Sequence, residues 1–228
     1  MSSIRIMIVE DHQMVREIWT LILNETPGFL VVAATGNGEE AITLANDLLP
    51  NIVLMDISMM PVSGIEVTEK IWKLLPEVKV IGLSMHSEPV YVRKMLKAGA
   101  RGYMSKNSSR EEIEEGIRKV HAGELLVSYD VRDMIAAEEL GDVKNPEINS
   151  LTFRELQVMQ MVCQGDSSRE IAQKISLSFR TVEVHRHNIL KKLHLPNAAA
   201  MVHYVTTNHI LFSGYSTFFA LLCLYKQT

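Results

Sequence analysis

Four short apolar segments of the chain each end at a residue suited to phosphate chemistry. Carboxylates hold a divalent cation, a hydroxyl donates a hydrogen bond to a phosphoryl oxygen, and an ammonium group pairs with that oxygen. The residues are Glu10 and Asp11 after segment 4–9, Asp56 after 51–55, Ser84 after 78–83 and Lys106 after 102–105. If the segments are strands of one parallel sheet, these groups meet at a single site for a metal ion and a phosphoryl group.

Asp56 is the residue that we predict to accept a phosphoryl group. A carboxylate can attack a phosphoryl donor and form an acyl phosphate, but both reactants are anionic, so their charge must be neutralised. Mg²⁺ prefers one or two carboxylates as ligands, so Glu10, Asp11 and Asp56 are the predicted ligands. Lys106 is predicted to pair with a phosphate oxygen as a point charge, and Ser84 to supply a hydroxyl donor.

Each of these residues also has an ordinary structural explanation. An aspartate after a strand is more often a turn or capping residue, and an acidic pair before a helix is favourable first-turn charge. A lysine at a strand end is usually solvated. The prediction of a site therefore depends on the four occurrences together, because the ordinary explanations would have to coincide at four matching strand ends.

The elements that would position these groups form a repeating pattern over residues 1–123. Short apolar runs alternate with helical periodicity, which predicts an α/β domain of βαβ units around a parallel sheet. In such a doubly wound fold, ligands bind at the carboxyl ends of the strands. The predicted strands are 4–9, 29–34, 51–55, 78–83 and 101–104, and the predicted helices are 12–25, 37–48, 64–75, 88–98 and 109–122.

Two segments lack this pattern. Residues 124–148 are acidic and contain Gly141 and Pro146, so we predict an interdomain linker, with an alanine-rich candidate helix at 134–140. Residues 211–228 form a mostly apolar tail that is too short to cross a bilayer. A packing or dimer segment, a weak membrane contact and non-native sequence remain open as explanations, and the role of the tail is unexplained.

Residues 149–210 show helical patterns only and predict a separate all-α domain of four helices. The first helix begins at a capping box of Thr152 and Glu155 and ends near Gly165. The others are predicted at 168–175, 179–193 and 198–208. A short helix, a tight turn and a longer helix are typical of a helix-turn-helix.

The helix predicted at 179–193 has one apolar face and one basic and polar face. The polar face suits the major groove of DNA, although an ordinary solvated helix face has the same composition. A glutamate accepts from cytosine N4, a valine contacts the thymine methyl group, and a histidine donates to a base or a phosphate. The predicted base contacts are Glu183, Val184 and His187, and the predicted phosphate contacts are Arg180, Thr181 and Lys191.

Composition and charge limit the class of protein. The 228 residues are 47% apolar and 22% charged, as in globular domains, and the two cysteines make no disulfide framework. The sequence lacks a signal-peptide pattern and the ~20 apolar residues of a membrane span, so we expect a cytoplasmic location without a membrane partner. Residues 147–210 carry seven basic and five acidic side chains, an indication of nucleic-acid binding that chance explains equally well.

The residues suited to phosphate chemistry lie in longer stretches, which read IMIVEDH, VLMDISMMPVSGIE, VIGLS and AGARGYMSK. These stretches resemble the receiver domain of two-component response regulators, and the resemblance covers residues 1–123. The resemblance implies a flavodoxin-like fold in which a histidine kinase phosphorylates Asp56. Ser84 and Tyr103 resemble the hydroxyl and aromatic switch pair of the family. The Mg²⁺ ligands that the resemblance implies are Glu10, Asp11, Asp56 and the backbone carbonyl of Ser58.

Two positions depart from the receiver pattern. The family usually has proline four residues after the phosphate acceptor, where this chain has Met60 followed by Pro61. The spacing to Gly64 is kept, so we expect the loop to close in the same way. Asn107 follows Lys106 where many receivers have proline, and we expect a trans peptide bond there.

Three stretches beyond residue 148 read LTFRE, SSREIAQKISLS and RTVEVHRHNILKKLHL. They resemble the four-helix DNA-binding domain of NarL/FixJ/LuxR-type response regulators over nearly all of 149–209. The resemblance implies that the helix at 179–193 enters the major groove, and in this family the fourth helix often mediates dimerisation. Glu183, Val184 and His187 match the base-facing positions of the family.

Together these features predict a phosphorylation-controlled, DNA-binding transcription regulator that forms a homodimer when phosphorylated. Its expected partners are a cognate histidine kinase and double-stranded DNA. Three alternatives stay open: a phosphorylation-independent regulator that dimerises through its receiver, a phosphotransfer enzyme, and a partner-binding protein that never contacts DNA. Residues 124–228 contain no glycine-rich nucleotide loop, so we expect no enzyme activity beyond the chain's own phosphotransfer and dephosphorylation.

Overall fold

The computed structural model describes residues 3–85, 89–127, 148 and 150–208. The chain divides into two compact units, Met1–Ala136 and Ala137–Thr228. Most of the predicted linker, the candidate helix at 134–140 and the apolar tail lie outside the described residues. The boundaries of the predicted domains therefore stay predictions.

The first unit contains the predicted doubly wound sheet of five parallel strands, in the order β2-β1-β3-β4-β5. Five helices alternate with these strands along the chain. The strands are β1 (Ile4–Val9), β2 (Phe29–Thr35), β3 (Ile52–Asp56), β4 (Lys79–Ser84) and β5 (Gly102–Ser105). The helices are α1 (Gln13–Glu25), α2 (Gly38–Leu48), α3 (Gly64–Leu74), α4 (Pro89–Lys97) and α5 (Arg110–Ala122).

The central strands are apolar because both of their faces are buried. All five residues of β3 are buried, as are five of the six in β1 and in β4. Strands buried on both faces read as continuous apolar runs instead of alternating with polar residues. One core cluster joins Ile6, Leu54 and Ile81 of the sheet to Leu23 of α1 and Ile117 of α5.

Side-chain caps determine where several of the helices begin. Asn37 and Ser63 accept hydrogen bonds from backbone N–H groups in the first turns of α2 and α3. Ser109 and Glu112 form a capping box at the start of α5, and this helix ends at Gly123, whose φ is 102°. Glycine is favoured there because a side chain is strained in the left-handed region.

The structure corrects the predicted ends of β2, β3, β4 and β5 by one residue each. Asp56 pairs with Leu83, and Ser84 pairs with Ser105, so Asp56 and Ser84 are the last residues of their strands instead of the first residues beyond them. A parallel ladder depends on backbone groups, and it therefore continues through a polar side chain at which an apolar run stops. Both side chains consequently start from a fixed backbone.

The chain continues beside the sheet after α5. Leu126 forms a parallel bridge with Gly102 of β5. The N–H of Tyr103 donates to the carbonyl of Leu126 at 2.9 Å, and the N–H of Leu126 donates to the carbonyl of Arg101 at 3.0 Å. The side chain of Leu126 packs against the core cluster. The first residues of the predicted linker are thus attached to the edge of the sheet.

The second unit is all-α in its described part, as predicted. Its helices are α6 (Phe153–Cys163), α7 (Ser168–Lys174), α8 (Phe179–Lys192) and α9 (Ala198–Thr207). The capping boxes of Thr152 with Glu155 and of Ser167 with Glu170 are both present. In the described ranges, no helix is long and apolar enough to cross a membrane.

The apolar side of α8 packs in the interior of this unit. Val182 and Ile189 are fully buried and Leu193 nearly so, in the register that the sequence pattern predicts. Ile171 of α7 and Met201 of α9 are also fully buried. Burying one side of α8 fixes which of its side chains face outward.

Candidate functional site

The carboxyl edge of the sheet brings together acids from two strand ends and a lysine from a third. The Nζ atom of Lys106 lies 2.6 Å from Oε2 of Glu10 and 3.0 Å from Oδ2 of Asp56. The backbone N–H of Lys106 donates to the carbonyl of Ser84 at 2.8 Å. The side chains of Glu10, Asp56 and Lys106 therefore meet at the ends of β1, β3 and β5, and the backbone of Ser84 joins the end of β4 to Lys106.

Asp56 is nearly inaccessible to solvent, with 1% of its surface exposed. Its Oδ1 accepts a hydrogen bond from the backbone N–H of Ser58 at 3.0 Å. Its Oδ2 is at ion-pair distance from Lys106, yet this atom accepts no hydrogen bond of acceptable geometry within the described part of the chain. A buried carboxylate oxygen without a hydrogen-bond donor is available to another cationic or hydrogen-bonding group.

The acidic residues around Asp56 form a site with the composition that Mg²⁺ prefers. Ligand atoms of Glu10, Asp11, His12 and Asp56 all lie within 4.8 Å of one another. Oδ1 of Asp11 is a second buried oxygen that accepts no hydrogen bond from any described residue. Hard carboxylate oxygens with unused lone pairs fit a divalent cation, so the residues present are compatible with the predicted metal. The role of the Ser58 carbonyl as a ligand stays a prediction.

His12 is a part of this cluster that the sequence reasoning did not single out. Its Nδ1 lies 2.9 Å from Oε1 of Glu10 and 2.9 Å from Oδ1 of Asp11. Its backbone N–H also donates to Oε1 of Glu10, at 3.2 Å. The sequence did contain a signal for His12, because this residue directly follows two of the predicted metal ligands. Its contacts restrict the carboxylate of Glu10, whose other oxygen is bound by Lys106.

Burial and neighbouring charges act in opposite directions on the ionisable groups of the cluster. Burial disfavours the charged forms of Asp56 and Lys106, whereas each favours the charged form of the other. Burial, and to a smaller extent the carboxylate of Glu10, raise the pKa of Asp56 to about 6, although Lys106 and the N–H of Ser58 act in the opposite direction. Burial lowers the pKa of Lys106, but the carboxylates of Asp56 and Glu10 outweigh it and hold that pKa above its ordinary value. The lysine is therefore a permanent cation beside the predicted acceptor.

The loop after Asp56 closes tightly on the strand end. A Cβ atom at Gly64 would lie 2.0 Å from the carbonyl oxygen of Asp56, so only glycine fits there. The N–H of Met60 donates to Oδ2 of Asp11 at 3.3 Å, a bond that proline at this position would not form. The Met60–Pro61 bond is cis. The bond between Lys106 and Asn107 is trans, as the sequence predicts.

The ring of Tyr103 lies beside Gly82 of β4, near which Met95 of α4 also lies. A Cβ atom at Gly82 would come within 3.4 Å of the Tyr103 ring and 2.9 Å of Met95 of α4, so the absence of a side chain at 82 makes room for both. Through its backbone, Tyr103 is bonded to Leu126. Ser84, its predicted switch partner, is fully buried two residues after Gly82. The ring of Tyr103 is therefore beside Gly82 of β4, and its backbone is bonded to the segment that follows α5.

The outward face of α8 is the one that the sequence predicts. The exposed residues of α8 are Phe179, Arg180, Glu183, Val184, His187 and Lys191. Val184 has 51% of its surface exposed although it is apolar, as a contact for a thymine methyl group requires. Thr181 is only partly exposed, and its N–H and hydroxyl bond to Ser178 at the start of α8 at 3.0 and 2.7 Å.

Glu183 has a contact within the unit that the sequence reasoning missed. Its Oε1 accepts a hydrogen bond from the hydroxyl of Ser168, the first residue of α7. The guanidinium of Arg186 donates to the same hydroxyl at 3.1 Å. The sequence carries no signal for this contact because Ser168 and Glu183 are brought together only by the packing of α7 on α8.

His185 lies on the other side of α8 and is partly buried. Burial, with smaller contributions from the cations Arg154 and Lys192, lowers its pKa below the ordinary value despite the nearby carboxylate of Glu155. Lys192 forms a 2.7 Å ion pair with Glu155, which is 2% exposed. A neutral, partly buried imidazole is suited to packing more than to holding a phosphate.

Two families match separate parts of the chain. Residues 6–118 match the response regulator receiver domain, and residues 149–205 match the bacterial regulatory proteins of the luxR family. The response regulator UvrY of Escherichia coli K12 is 33% identical over 201 residues, which are 88% of this chain and 92% of UvrY.

Solved structures share the same architecture. A LuxR-family two-component response regulator from Aurantimonas sp. SI85-9A1 is 34% identical with a TM-score of 0.55, covering 61% of this chain and 99% of that one. RcsB from Salmonella enterica serovar Typhimurium, solved bound to the promoter rprA in the presence of the phosphomimetic BeF3−, is 20% identical with a TM-score of 0.56 and covers 90% of this chain and 99% of its own. At this identity, the likeness to RcsB concerns the fold.

The two family matches and the extent of the likeness to UvrY agree with the fold of each unit. The acidic cluster belongs to the receiver, and α7 and α8 form the helix-turn-helix of the second domain. This chain is a member of the NarL/FixJ/LuxR-type response regulators, a DNA-binding transcription regulator of a two-component system with a receiver followed by a LuxR-type domain.

Proposed function

We propose that Asp56 accepts a phosphoryl group from a histidine kinase and that its acyl phosphate controls dimerisation and DNA binding. The observation that carries the proposal is the environment of Asp56: its buried Oδ2 accepts no hydrogen bond from the described residues and lies 3.0 Å from a lysine. This oxygen would attack the phosphoryl donor, and Lys106, which already pairs with it, is placed to pair with the incoming charge.

Mg²⁺ fits the proposal as the cation that neutralises the anionic reactants. Oδ1 of Asp11 and Oδ2 of Asp56, which accept no hydrogen bond from the described residues, would hold it, with the carbonyl of Ser58 as a further ligand. Glu10 is bound by Lys106 and His12 on its two oxygens, so it would orient these groups as well as add negative charge.

The switch that we propose runs along β4 and β5. The phosphoryl group would draw in the hydroxyl of Ser84 and the ammonium of Lys106. The backbones of these two residues are already linked, because the N–H of Lys106 donates to the carbonyl of Ser84. Tyr103 would follow and change its packing beside Met95. Such a signal biases a two-state equilibrium, and a full switch needs roughly 5 kcal/mol of differential stabilisation.

The exposed face of α8 is the proposed DNA-reading surface. Glu183, Val184 and His187 would contact base edges, while Arg180, Thr181 and Lys191 would contact phosphates. A homodimer would present two copies of α8 to half-sites about 34 Å apart. The proposed target is therefore a repeated sequence with a spacing of one helical turn.

The acceptor is tested by labelling the full chain with radioactive acetyl phosphate in the presence of Mg²⁺. We expect the wild type to take up about one phosphoryl group per chain and Asp56→Asn to take up none, because an amide is not a nucleophile for this transfer. Asp47→Asn is the matched control, since it removes an exposed carboxylate of α2. Persistent labelling of Asp56→Asn would place the acceptor elsewhere.

The same variant separates the proposal from phosphorylation-independent regulation. If Asp56→Asn dimerises and binds DNA as the treated wild type does, the receiver is a dimerisation platform whose state does not depend on phosphate.

A further inference from the structure

One hydrogen-bond network joins the two helices of the helix-turn-helix. It consists of Arg186, Ser168 and Glu183, with the hydroxyl of Ser168 in the centre. Ser168 is 8% exposed, whereas Glu183 is exposed. The buried serine thus contacts Glu183, the residue of the DNA-reading surface that is proposed to accept a hydrogen bond from cytosine.

The chemistry of the three groups sets the direction of each hydrogen bond. A guanidinium only donates, so the Ser168 oxygen accepts from Arg186 and its single proton goes to Oε1 of Glu183. An ionised carboxylate accepts on both oxygens, which leaves Oε2 of Glu183 as the acceptor for a base. The network therefore holds Glu183 as a hydrogen-bond acceptor in one orientation.

We propose that Ser168 is a positioning residue that sets base preference at the position read by Glu183, without contacting DNA itself. The inference rests on the proposed role of α8 in reading DNA. Without the Ser168 hydroxyl, Glu183 regains its rotamer freedom. It can also pair directly with Arg186, which lies three residues further along the same helix. Both effects withdraw the acceptor from the groove and weaken the selection of one base.

Helix capping does not account for this hydroxyl. The N-cap of α7 is Ser167, whose side chain accepts from the N–H of Glu170 and whose N–H is bound by the Glu170 carboxylate. Ser168 is the next residue, and its hydroxyl points to α8. Two adjacent serines therefore have different partners, and Ser167→Ala is a matched control that loses a cap but keeps the network.

The experiment uses the full chain, treated with acetyl phosphate and Mg²⁺, and a pool of DNA duplexes with about 20 randomised base pairs. Bound duplexes are sequenced for the wild type, Ser168→Ala, Ser167→Ala and Glu183→Ala. Glu183→Ala identifies the base position that Glu183 reads. At that position we expect Ser168→Ala to reduce the preference for the favoured base by roughly threefold to tenfold, the effect of releasing one ordered side chain.

The controls distinguish positioning from a loss of folding. We expect Ser167→Ala to lower thermal stability and overall affinity while keeping the base preference of the wild type. Ser168→Thr, which retains a hydroxyl, should keep most of that preference. In the Glu183→Ala background, Ser168→Ala should change nothing further at this position, because the two residues act through one contact.

Two outcomes overturn different parts of the account. If Glu183→Ala alters the base preference but Ser168→Ala keeps it within twofold of the wild type, the positioning role is wrong and the proposed function stands. If the wild type selects no sequence from the pool, the proposed function itself fails.

Discussion

Asp56 is an anion whose burial works against the stability of the metal-free protein. Burial raises its pKa to about 6 from an ordinary value of 3.8. Lys106 compensates only in part, because burial has the largest effect on this pKa and the carboxylate of Glu10 acts in the same direction as burial. Because the buried carboxylate is destabilised in the absence of a ligand, a bound cation would stabilise its charged form.

The burial of the Asp56 carboxylate predicts an unusual pH dependence of the free energy of unfolding. The folded-state pKa of Asp56 is higher than its unfolded-state value, so the folded protein binds the proton more tightly and gains stability as the pH falls through the folded-state pKa. Between about pH 7 and about pH 5.5, we expect Asp56 to add about 1 kcal/mol to the free energy of unfolding. The measurement is urea unfolding in EDTA at the two pH values.

Asp56→Asn is the reference for this measurement, because all other titrating groups remain in it. Its free energy of unfolding should lack the gain that Asp56 contributes. An identical pH response in the two proteins would show that the raised pKa of Asp56 is not real.

The sequence was enough to predict that residues lie close together only where the backbone of the sheet brings them together. Asp11, Asp56 and Lys106 follow or end parallel strands, so the sheet determines that they converge. The contact of Ser168 with Glu183 depends on how two helices pack, and no local pattern encodes it. His12 was visible in the sequence, but its two carboxylate contacts depend on side-chain geometry.

At the scale of elements, the predicted strands and helices are nearly those observed. The periodicity of apolar residues identified all five strands because each is buried on at least one face. The ends of β2, β3, β4 and β5 were missed by one residue, since the pattern ends with the last apolar side chain and the backbone ladder does not. The bridge at Leu126 was missed because this leucine follows a helix-ending glycine and precedes an acidic segment.

The bridge at Leu126 predicts a difference between two neighbouring leucines. Leu126 packs on the core of the sheet, whereas Leu125 is 40% exposed. We expect Leu126→Ala to lower the free energy of unfolding of the receiver by about 2 kcal/mol, because it removes packed methyl groups and leaves a cavity. Leu125→Ala should change it by less than about 0.5 kcal/mol. Urea unfolding of both variants gives the comparison, and equal losses would contradict the packing role of Leu126.

At the scale of the whole molecule, two independent patterns predicted two domains of different class. Alternating strands and helices over 1–123 and helices alone over 149–210 correspond to the two matched families. The residues between these patterns carry no periodicity. The apolar tail at 211–228 likewise has neither a helical stripe nor an alternating pattern from which a packing partner follows. Its role stays open.

The central claim is that a phosphoryl group on Asp56 changes how the whole chain associates and binds DNA. It is tested most directly by sedimentation and DNA titration of the full chain, with and without acetyl phosphate and Mg²⁺, on duplexes selected from a random pool. We predict a shift from monomer to dimer and an increase in DNA affinity of roughly tenfold or more, with neither change in Asp56→Asn. Stoichiometric phosphorylation of Asp56 that leaves both the association state and the DNA affinity unaltered would contradict the account.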